Sequence, residues 1–489
     1  MRCTVGQTQL TFDTLPDDAL LYVFDFYLSF QTEAWHTLVH VCRRWRNLVF
    51  GSPRRLNLRI LCTNETPVRE KLDVWPSLPI LIVGNFSPIA DLDNIKAALE
   101  HHERVCQIKL SFVLLDREKE DLVAPLEEPF PILTDLHLDT LGASWPFDPD
   151  PSKFLGGSAH LRSLTLRGFQ IPGLQKILLC ALDLVILHID VHVRRCPYLP
   201  NEVVTVLSAL TRLEQLQIEF GQCPSDLENR RLPLLTRTVL PSLTVLKVTA
   251  DAKNMEDFMA RIDAPLLDQL CILFSCYYHD VWDVVLDTQQ LLWFISRIPK
   301  LQAPSEANIG FATIESATER FNVWIEFLWP TQISSVVKLG IHCRQPKWEV
   351  PSLAQFCRSP FFPLPMLEHL YIGRGQSSLQ PHRDNTRWLE LLQPFTAVKN
   401  LYLTKELAPC IAPALRELVI YRATEVLPTL QNIFIEDSEL RLLDPVHEAI
   451  ALYATHESCP VIQSSFPTGT ERRAWDMNDC RWPLNVFVA

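Results

Sequence analysis

The chain has 489 residues and a formal net charge of −12 at neutral pH. Hydrophobic residues make up 47% of it and charged residues 21%, which is typical of a folded globular protein and argues against a disordered one. Glycine is scarce, with 14 residues, and proline is frequent, with 36. These counts argue against enzymes that cradle phosphates in several glycine loops, and they predict that regular structure is interrupted often. The acidic balance does not favour bulk attraction to nucleic acid or to an anionic membrane.

The cellular compartment is indicated by the length of the apolar segments and by the spacing of the cysteines. No run of about 18 apolar residues is present to cross a membrane, and the N-terminal tail 1–12 lacks the apolar core of a secretory signal. The 14 cysteines are dispersed without a C-x-x-C pair, the closest being Cys271 and Cys276. Dispersed cysteines favour free thiols over a disulfide framework or a zinc site. We therefore expect a cytoplasmic or nuclear protein.

Residues 13–60 are predicted to form three short amphipathic helices. Pro16 suits the first turn of a helix, and Asp17 complements its positive end. Apolar residues then recur at helical spacing, and the segments around Trp35 and Trp45 carry the second and third helices. Three such helices cannot bury much apolar surface alone. They need a partner surface, either in this chain or in another.

The order and spacing of residues in this segment resemble the F-box motif. The matching residues are Leu15, Pro16, Leu20, Leu21, Val23, Phe24, Leu38, Val41, Cys42, Arg43, Trp45, Arg46 and Leu48. The resemblance implies docking to the small adaptor subunit of an SCF-type cullin–RING ubiquitin ligase, with apolar helix faces lying in a hydrophobic groove. It assigns adaptor binding to nine side chains: Leu15, Pro16, Leu20, Leu21, Phe24, Leu38, Val41, Cys42 and Trp45.

Two simpler interpretations stand beside that one. The three helices could form only a cap on the structure that follows them. The basic residues of the segment are either a solvated face or a surface that steers an acidic partner; they are Arg43, Arg44, Arg46, Arg54 and Arg55.

Residues 61–436 repeat the pattern apolar-x-x-apolar-x-apolar. The pattern begins at Leu78, Val105, Leu133, Leu161, Leu182, Leu213, Leu243, Leu267, Val336, Leu367, Val398, Leu415 and Leu430. Most steps lie near the 20–29 residues of leucine-rich repeats, and helical patterns lie between the repeats. The long step between Leu267 and Val336 is predicted to hide degenerate repeats, one of them near residues 307–311. Proline precedes seven of these lines by two residues and is predicted to end the preceding helix or loop.

A strand followed by a helix at this period gives crossover connections and a parallel sheet, and the units stack because none covers its own apolar face. The predicted fold class is α/β: an N-terminal three-helix F-box followed by an irregular leucine-rich-repeat solenoid with a curved parallel sheet. The repeats resemble those of leucine-rich F-box proteins, in particular F-box-like domain-containing proteins of mushroom-forming fungi. The stretch KLGIHCRQPKWEVPSLAQFC followed by LPMLEHLYIG carries that resemblance. Residues 437–489 are predicted to form a C-terminal cap or tail.

A row of large side chains is predicted on the open face of the sheet. In each line the residue between the last two apolar positions points to that face. In the last four lines these residues are Tyr371, Tyr402, Val419 and Phe434, which adjacent strands would set about 4.8 Å apart. We predict that these four residues bind a substrate protein. The alternatives are stacking that only stabilises the sheet, or coverage by the C-terminal tail.

No catalytic motif emerges from the sequence. His36 and His40 are spaced for one helix face without a third metal ligand nearby, and His188 and His192 fall on and after a strand. The segment Gly156–Ser158 does not form a nucleophile elbow. We therefore expect no catalytic residue, no cofactor and no metal.

The function that these features predict is that of a non-enzymatic substrate-recognition adaptor of an SCF-type ubiquitin ligase. Its expected partners are the adaptor subunit and cullin of that ligase and an unknown substrate protein, without nucleic acid or membrane. A ligase-independent protein-binding scaffold and an enzyme with a site built across repeats remain open as alternatives.

Overall fold

The computed structural model describes the chain in the following ranges: 15–30, 34–51, 58–63, 67–74, 79–85, 92–111, 122–140, 145–146, 153–154, 160–170, 173–190, 200–221, 237–275, 289–301, 304–314, 320–329, 336–343, 349–358, 364–374, 385–404, 407–417, 426–435 and 461–463. The chain divides into two compact units, with the boundary between Leu184 and Val185. Among the described helices, none is both long and apolar enough to cross a membrane.

The first unit begins with three helices and continues as a parallel sheet. The helices are α1 (Asp17–Phe30), α2 (Ala34–Val41) and α3 (Arg43–Gly51), as the sequence predicts. The strands pair in chain order and in parallel; they are β1 (Leu58–Leu61), β2 (Ile80–Asn85), β3 (Val105–Ser111), β4 (Asp135–Asp139) and β5 (Ser163–Arg167). Further helices lie between and after them: α4 (Val68–Val74), α5 (Leu92–Leu99) and α6 (Leu174–Cys180).

The second unit contains a longer run of strands and helices. The strands of its large sheet are β6 (Ile186–Asp190), β7 (Gln215–Glu219), β8 (Val245–Ala250), β9 (Gln269–Ser275), β10 (Glu306–Ile314), β11 (Arg320–Leu328), β12 (Val336–Cys343), β13 (His369–Arg374), β14 (Asn400–Leu403), β15 (Asn432–Ile435) and β16 (Val461–Gln463). A separate short pair joins Thr238–Val239 to Ile262–Asp263. Its described helices are α7 (Pro200–Leu207), α8 (Ala252–Arg261), α9 (Gln289–Ser296), α10 (Glu349–Cys357), α11 (Asn385–Leu392) and α12 (Ala408–Glu417). Both units alternate strands with helices, which confirms the predicted α/β class.

The sheet of the second unit is mostly parallel, as predicted, with one strand that runs the other way. Its strands lie in the order β6-β7-β8-β9-β12-β11-β10-β13-β14-β15-β16. Strand β11 runs antiparallel to both β10 and β12, whereas the other pairs in this unit are parallel. The connections on either side of β11 are too short for the crossover of a dozen or more residues that a parallel neighbour requires. The predicted hidden repeat near residues 307–311 is present as β10, and β11 was not predicted.

Proline occupies a recurring turn immediately before strands. Leu133 donates its backbone N–H to the carbonyl of Phe130 at 3.3 Å, across Pro131. Four other leucines make the same bond, each two residues after a proline: Leu243, Leu267, Leu367 and Leu430. Proline fits the second position of a β-turn because its fixed φ matches that position and its missing N–H is not needed there. At these five lines the structure therefore places proline in the tight turn that leads into the strand.

Two of the predicted repeat lines are misplaced. Leu182 is 52% exposed, and the buried line begins two residues later, at Leu184, followed by Leu187 and Ile189. The run LDLVILHI fits both registers, and only the burial of its side chains in the folded protein selects one of them. The line at Leu415 does not form a strand, since Leu415 lies in α12, which also contains Pro413.

Candidate functional site

The three N-terminal helices are held together by a small apolar core. Leu20 and Phe24 of α1 and Leu38 of α2 are buried, with at most 4% of their surface exposed. The Phe24 ring lies 4.8 Å from the ring of Trp45 of α3, centroid to centroid. The helical spacing of these residues therefore serves packing between the helices as well as any outer surface.

Polar contacts fix the start of α3 against the other two helices. The Sγ of Cys42 accepts a hydrogen bond from the backbone N–H of Trp45 at 3.4 Å, as an N-cap residue does. Arg44 donates through Nε to the carboxylate of Asp17 at 3.1 Å, and also to the carbonyl of Leu15. Its guanidinium therefore joins the start of α3 to the start of α1.

A second arginine of the predicted basic surface also has an internal role. Arg46 donates through Nε to the carbonyl of Val39 at 3.0 Å, which ties α3 to α2. Arg43 is exposed on α3. Arg54 and Arg55 lie outside the described residues.

The nine side chains predicted to bind an adaptor divide by exposure. Leu20, Phe24 and Leu38 are buried in the helical core, whereas Leu15, Leu21, Cys42 and Trp45 are partly exposed and Pro16 and Val41 are exposed. Other apolar side chains on these helices are also exposed: Tyr22 at 69%, Val23 at 45% and Phe50 at 45%. The three helices thus present an apolar outer surface in addition to a closed core.

An aromatic row, defined as Tyr371, Tyr402 and Phe434, crosses three adjacent strands. Tyr371 of β13 is in register with Tyr402 of β14, which is in register with Phe434 of β15. The ring centroids are 4.1 and 4.7 Å apart, and the rings are nearly parallel at 9° and 11°. The structure therefore brings together three of the four residues predicted to bind substrate.

The fourth of those residues, Val419, lies outside the described residues. The prediction of a strand between Tyr402 and Phe434 is wrong, because β14 pairs directly with β15. The residues before Val419 form α12 instead of leading into a strand. Short apolar runs such as LRELVI fit a helix as well as a strand, and the sequence alone does not separate them.

Stacking leaves little of the aromatic row exposed. Tyr402 is 7% exposed and Phe434 6%, whereas Tyr371 is partly exposed. The inner ring, that of Tyr402, has a neighbour against each face, so a partner could reach mainly the ring edges and the side of Tyr371. This geometry stabilises the sheet whether or not a partner binds.

A polar row lies beside the aromatic one, two residues earlier on each strand. It consists of Glu306, His369, Asn400 and Asn432, which are in register across β10, β13, β14 and β15. Asn432 donates from Nδ2 to Oδ1 of Asn400 at 2.8 Å, and Asn400 Nδ2 lies 3.4 Å from Nδ1 of His369. The period of two along each strand could have revealed this row, but the repeat pattern drew attention only to the aromatic position.

Hydroxyl groups connect the two rows. Tyr371 and Tyr402 share a side-chain hydrogen bond, and the Tyr402 hydroxyl lies 3.3 Å from Nδ1 of His369. Burial raises the pKa of both tyrosines above their usual value, and the charge of Glu306 raises it further. The hydroxyls therefore stay protonated and are available for hydrogen bonding at neutral pH.

Trp324 lies in a slot that two glycines create, and the repeat pattern did not reveal it. Trp324 of β11 is in register with Gly310 of β10 and Gly340 of β12. A Cβ on Gly310 would lie 2.1 Å from Cζ2 of the indole, so the indole occupies the space that a side chain would fill. Lys338 places its Nζ 4.7 Å from the ring centroid, in the range of a cation–π interaction. Trp324 escaped detection because β11 carries no leucine-rich repeat line.

Two further kinds of group bear on chemistry in the described part of the chain: clusters of metal ligands and cysteine thiols. The described residues include no group of three or more His, Cys, Asp and Glu placed to hold a metal ion. Burial raises the pKa of the Cys106 and Cys271 thiols to about 11, so both are protonated at neutral pH and are poor nucleophiles. Of the histidines that the sequence places close together without a third metal ligand, His192 lies outside the described residues.

The comparisons with known proteins give only distant likenesses. No protein-family model matches the chain, and no curated protein matches it. Among solved structures, it is similar to the leucine-rich repeat-containing protein LegL7 from Legionella pneumophila, at 12% identity and a TM-score of 0.25, over 81% of this chain and 97% of that one. It is also similar to a chain of the Rad7 and Elc1 complex in yeast, at 12% identity and a TM-score of 0.25, over 91% of this chain and 92% of that one. Likenesses of this size indicate neither a shared activity nor a shared partner.

Proposed function

We propose that this protein is a non-enzymatic substrate-recognition adaptor of an SCF-type cullin–RING ubiquitin ligase, acting in the cytoplasm or nucleus. Its N-terminal helices would bind the adaptor subunit and, through it, the cullin. Its repeats would hold a substrate protein close to the ubiquitin-charged enzyme. The contribution of the chain is a raised effective concentration of substrate, so no catalytic residue or cofactor is required of it.

The observation that carries the proposal is the apolar outer surface of the three helices. Val41 at 54% exposed and Tyr22 at 69% offer apolar surface that a partner groove would bury. The helices also have their own core around Leu20 and Phe24, so the outer surface can bind a partner without being consumed by folding. The order of residues from Leu15 to Trp45, similar to the F-box, supports an adaptor groove as the partner.

The second half of the proposal concerns the sheet of the second unit. Stacked Tyr371 and Tyr402 form a rigid surface with polar groups beside them, and rigid aromatic side chains bind proteins at a low cost in conformational entropy. Tyr371 has the most accessible ring of the aromatic row. We therefore assign substrate contact to the Tyr371 side of that row.

The proposal is tested by removing the start of the F-box-like segment. Leu15 is partly exposed and Pro16 is exposed, and replacing both by alanine keeps the carbonyl of Leu15 that Arg44 binds. The Leu15→Ala, Pro16→Ala double variant should lose co-precipitation of the adaptor subunit and cullin by tenfold or more, since a few buried apolar contacts dominate such interfaces.

Two comparisons make this result specific. Leu179→Ala changes an apolar side chain that is 50% exposed outside the three helices, and it should leave adaptor recovery unchanged. Circular dichroism of the double variant should match that of the parent protein. Full recovery of adaptor and cullin with the double variant would refute docking through this segment.

A further inference from the structure

Two arginines of the second unit, Arg237 and Arg297, bind the backbone on either side of a third, Arg261, at the end of α8. The residues Thr238 and Val239 form a short parallel pairing with Ile262 and Asp263. Arg237 immediately precedes the first of these strands, and Arg261 immediately precedes the second. The two arginines therefore enter the pairing side by side at the level of the backbone.

Hydrogen bonds bring Arg237 and a third arginine to the same backbone segment. Arg237 donates through Nε to the carbonyl of Ala260 at 3.2 Å, and Arg297 donates through Nη2 to the carbonyl of Ile262 at 3.2 Å. Those two carbonyls flank Arg261. The guanidinium groups of Arg237 and Arg297 thus reach the two residues that border Arg261 in the sequence.

Among the described residues, a single carboxylate contacts these arginines. Asp263 is the carboxylate that contacts the cluster, with Oδ1 3.7 Å from Nε of Arg297. Burial lowers the pKa of Arg297, and the nearby charge of Arg237 lowers it further, as expected when like charges are held together. An anion bound here would relieve that repulsion.

The arginines also keep unused hydrogen-bonding capacity. A guanidinium has five N–H donors, whereas Arg237 and Arg297 each use one on a carbonyl in the described structure. The Nε atoms of Arg261 and Arg297 are buried and have no hydrogen-bond partner among the described residues. Such donors are expensive to bury unless a partner satisfies them.

We propose that Arg237, Arg261 and Arg297 bind a single phosphoryl group carried by a partner polypeptide. Guanidinium groups bind phosphate oxygens in pairs, with charge-assisted hydrogen bonds. Three arginines against one aspartate leave an excess of two positive charges, which matches the −1.5 to −2 that a phosphorylated side chain carries near pH 7.

A polypeptide fits this place better than a nucleic acid. Val239 is 54% exposed and in register with Asp263. It can therefore make an apolar contact with a side chain of the partner polypeptide next to its phosphorylated residue. The chain as a whole is acidic at −12, which disfavours a polyanion that needs many phosphate contacts. The site does not depend on ligase membership, so its test is separate from that of the proposed function.

The decisive variant is Arg261→Gln, because Arg261 makes no side-chain hydrogen bond or ion pair in the described structure whose loss could unfold the protein. The full-length chain is titrated by fluorescence anisotropy with an oriented peptide library that carries a central phosphoserine. The parent protein should bind this library, and Arg261→Gln and Arg237→Gln should each weaken binding at least tenfold. Arg237→Lys should fall between, since lysine keeps the charge and loses the paired donors.

Matched measurements settle each alternative. Arg358→Gln removes an exposed arginine of the same unit, which pairs with Glu390, and it should bind as the parent does. Unchanged binding in Arg261→Gln, or equal affinity for the unphosphorylated library, would overturn the proposal. Equal affinity for inorganic phosphate alone would overturn its polypeptide part, as would tighter binding of a single-stranded oligonucleotide.

Discussion

Replacing Gly310 by alanine should destabilise the central strands of the second unit. The new Cβ would lie 2.1 Å from Cζ2 and 2.3 Å from Cε2 of Trp324, whereas carbon atoms in contact sit about 3.5–4 Å apart. The indole must therefore move by more than about 1 Å, and the backbones of β10 and β11 on either side oppose that movement.

The size of the effect follows from what the indole loses. Trp324 is only 8% exposed, and forcing extra atoms into a packed site costs about 1–3 kcal/mol. The contact with Lys338 at 4.7 Å adds about 0.5–1 kcal/mol if it breaks. Alanine also stiffens the unfolded chain, which offsets about 0.4–1 kcal/mol. We expect a net loss of about 2 kcal/mol.

Hydrogen exchange measured by mass spectrometry reports this loss locally, which suits a chain with two compact units. Peptides from β10, β11 and β12 should exchange about 30-fold faster in Gly310→Ala, since about 2 kcal/mol corresponds to that factor. Peptides from β3 and β4 in the first unit should be unchanged.

Two further variants isolate the indole as the cause. In a Trp324→Ala background the same glycine substitution should become neutral or slightly stabilising, because the clash is gone and only the effect on the unfolded chain remains. Gly51→Ala adds a Cβ that meets nothing within 4 Å and should change exchange little. If Gly310→Ala exchanges within about threefold of the parent, or loses as much stability without Trp324, the packing argument is wrong.

Two other outcomes are expected. Burial, with the charge of Arg167 adding to it, lowers the pKa of His137 to about 4 from 6.5, so the unfolded chain takes up a proton at a higher pH than the folded chain does. The free energy of unfolding of the first unit should therefore fall by at most about 2 kcal/mol between pH 7 and pH 5. In urea titrations His137→Gln should show a flatter pH dependence of this free energy, and an unchanged slope would exclude His137 as its source. Tyr371→Ala should lose the proteins that the parent chain retains when ligase activity is blocked, as quantified by mass spectrometry. The control Lys247→Ala changes a partly exposed side chain of β8 on the same sheet and should still retain them. Equal retention by both variants would exclude the aromatic row as the substrate contact.

The local sequence pattern was sufficient to predict an element where the environment of each residue depends on its neighbours in sequence. The helices α1 to α3 follow from apolar spacing and from the Pro16–Asp17 start. The strands β13 and β14 follow from leucines that alternate with outward residues, and this alternation also placed Tyr371 beside Tyr402. The turn at Pro131 follows from the fixed φ of proline, which acts within four residues.

The repeat pattern did not predict how segments distant in sequence pair with one another. Strand β11 enters the sheet against its neighbours' direction because short connections leave it no parallel alternative, and α12 forms where a strand was expected. The sequence by itself determined where the chain turns and, in lines such as those of β13 and β14, which residues point inward, since those properties depend on period and on single-residue conformational limits. Only the tertiary structure decided that Trp324 lies over Gly310 and that Arg237 and Arg297 bind the backbone on either side of Arg261. Long-range strand register and burial select those neighbours, and no local window of sequence contains them.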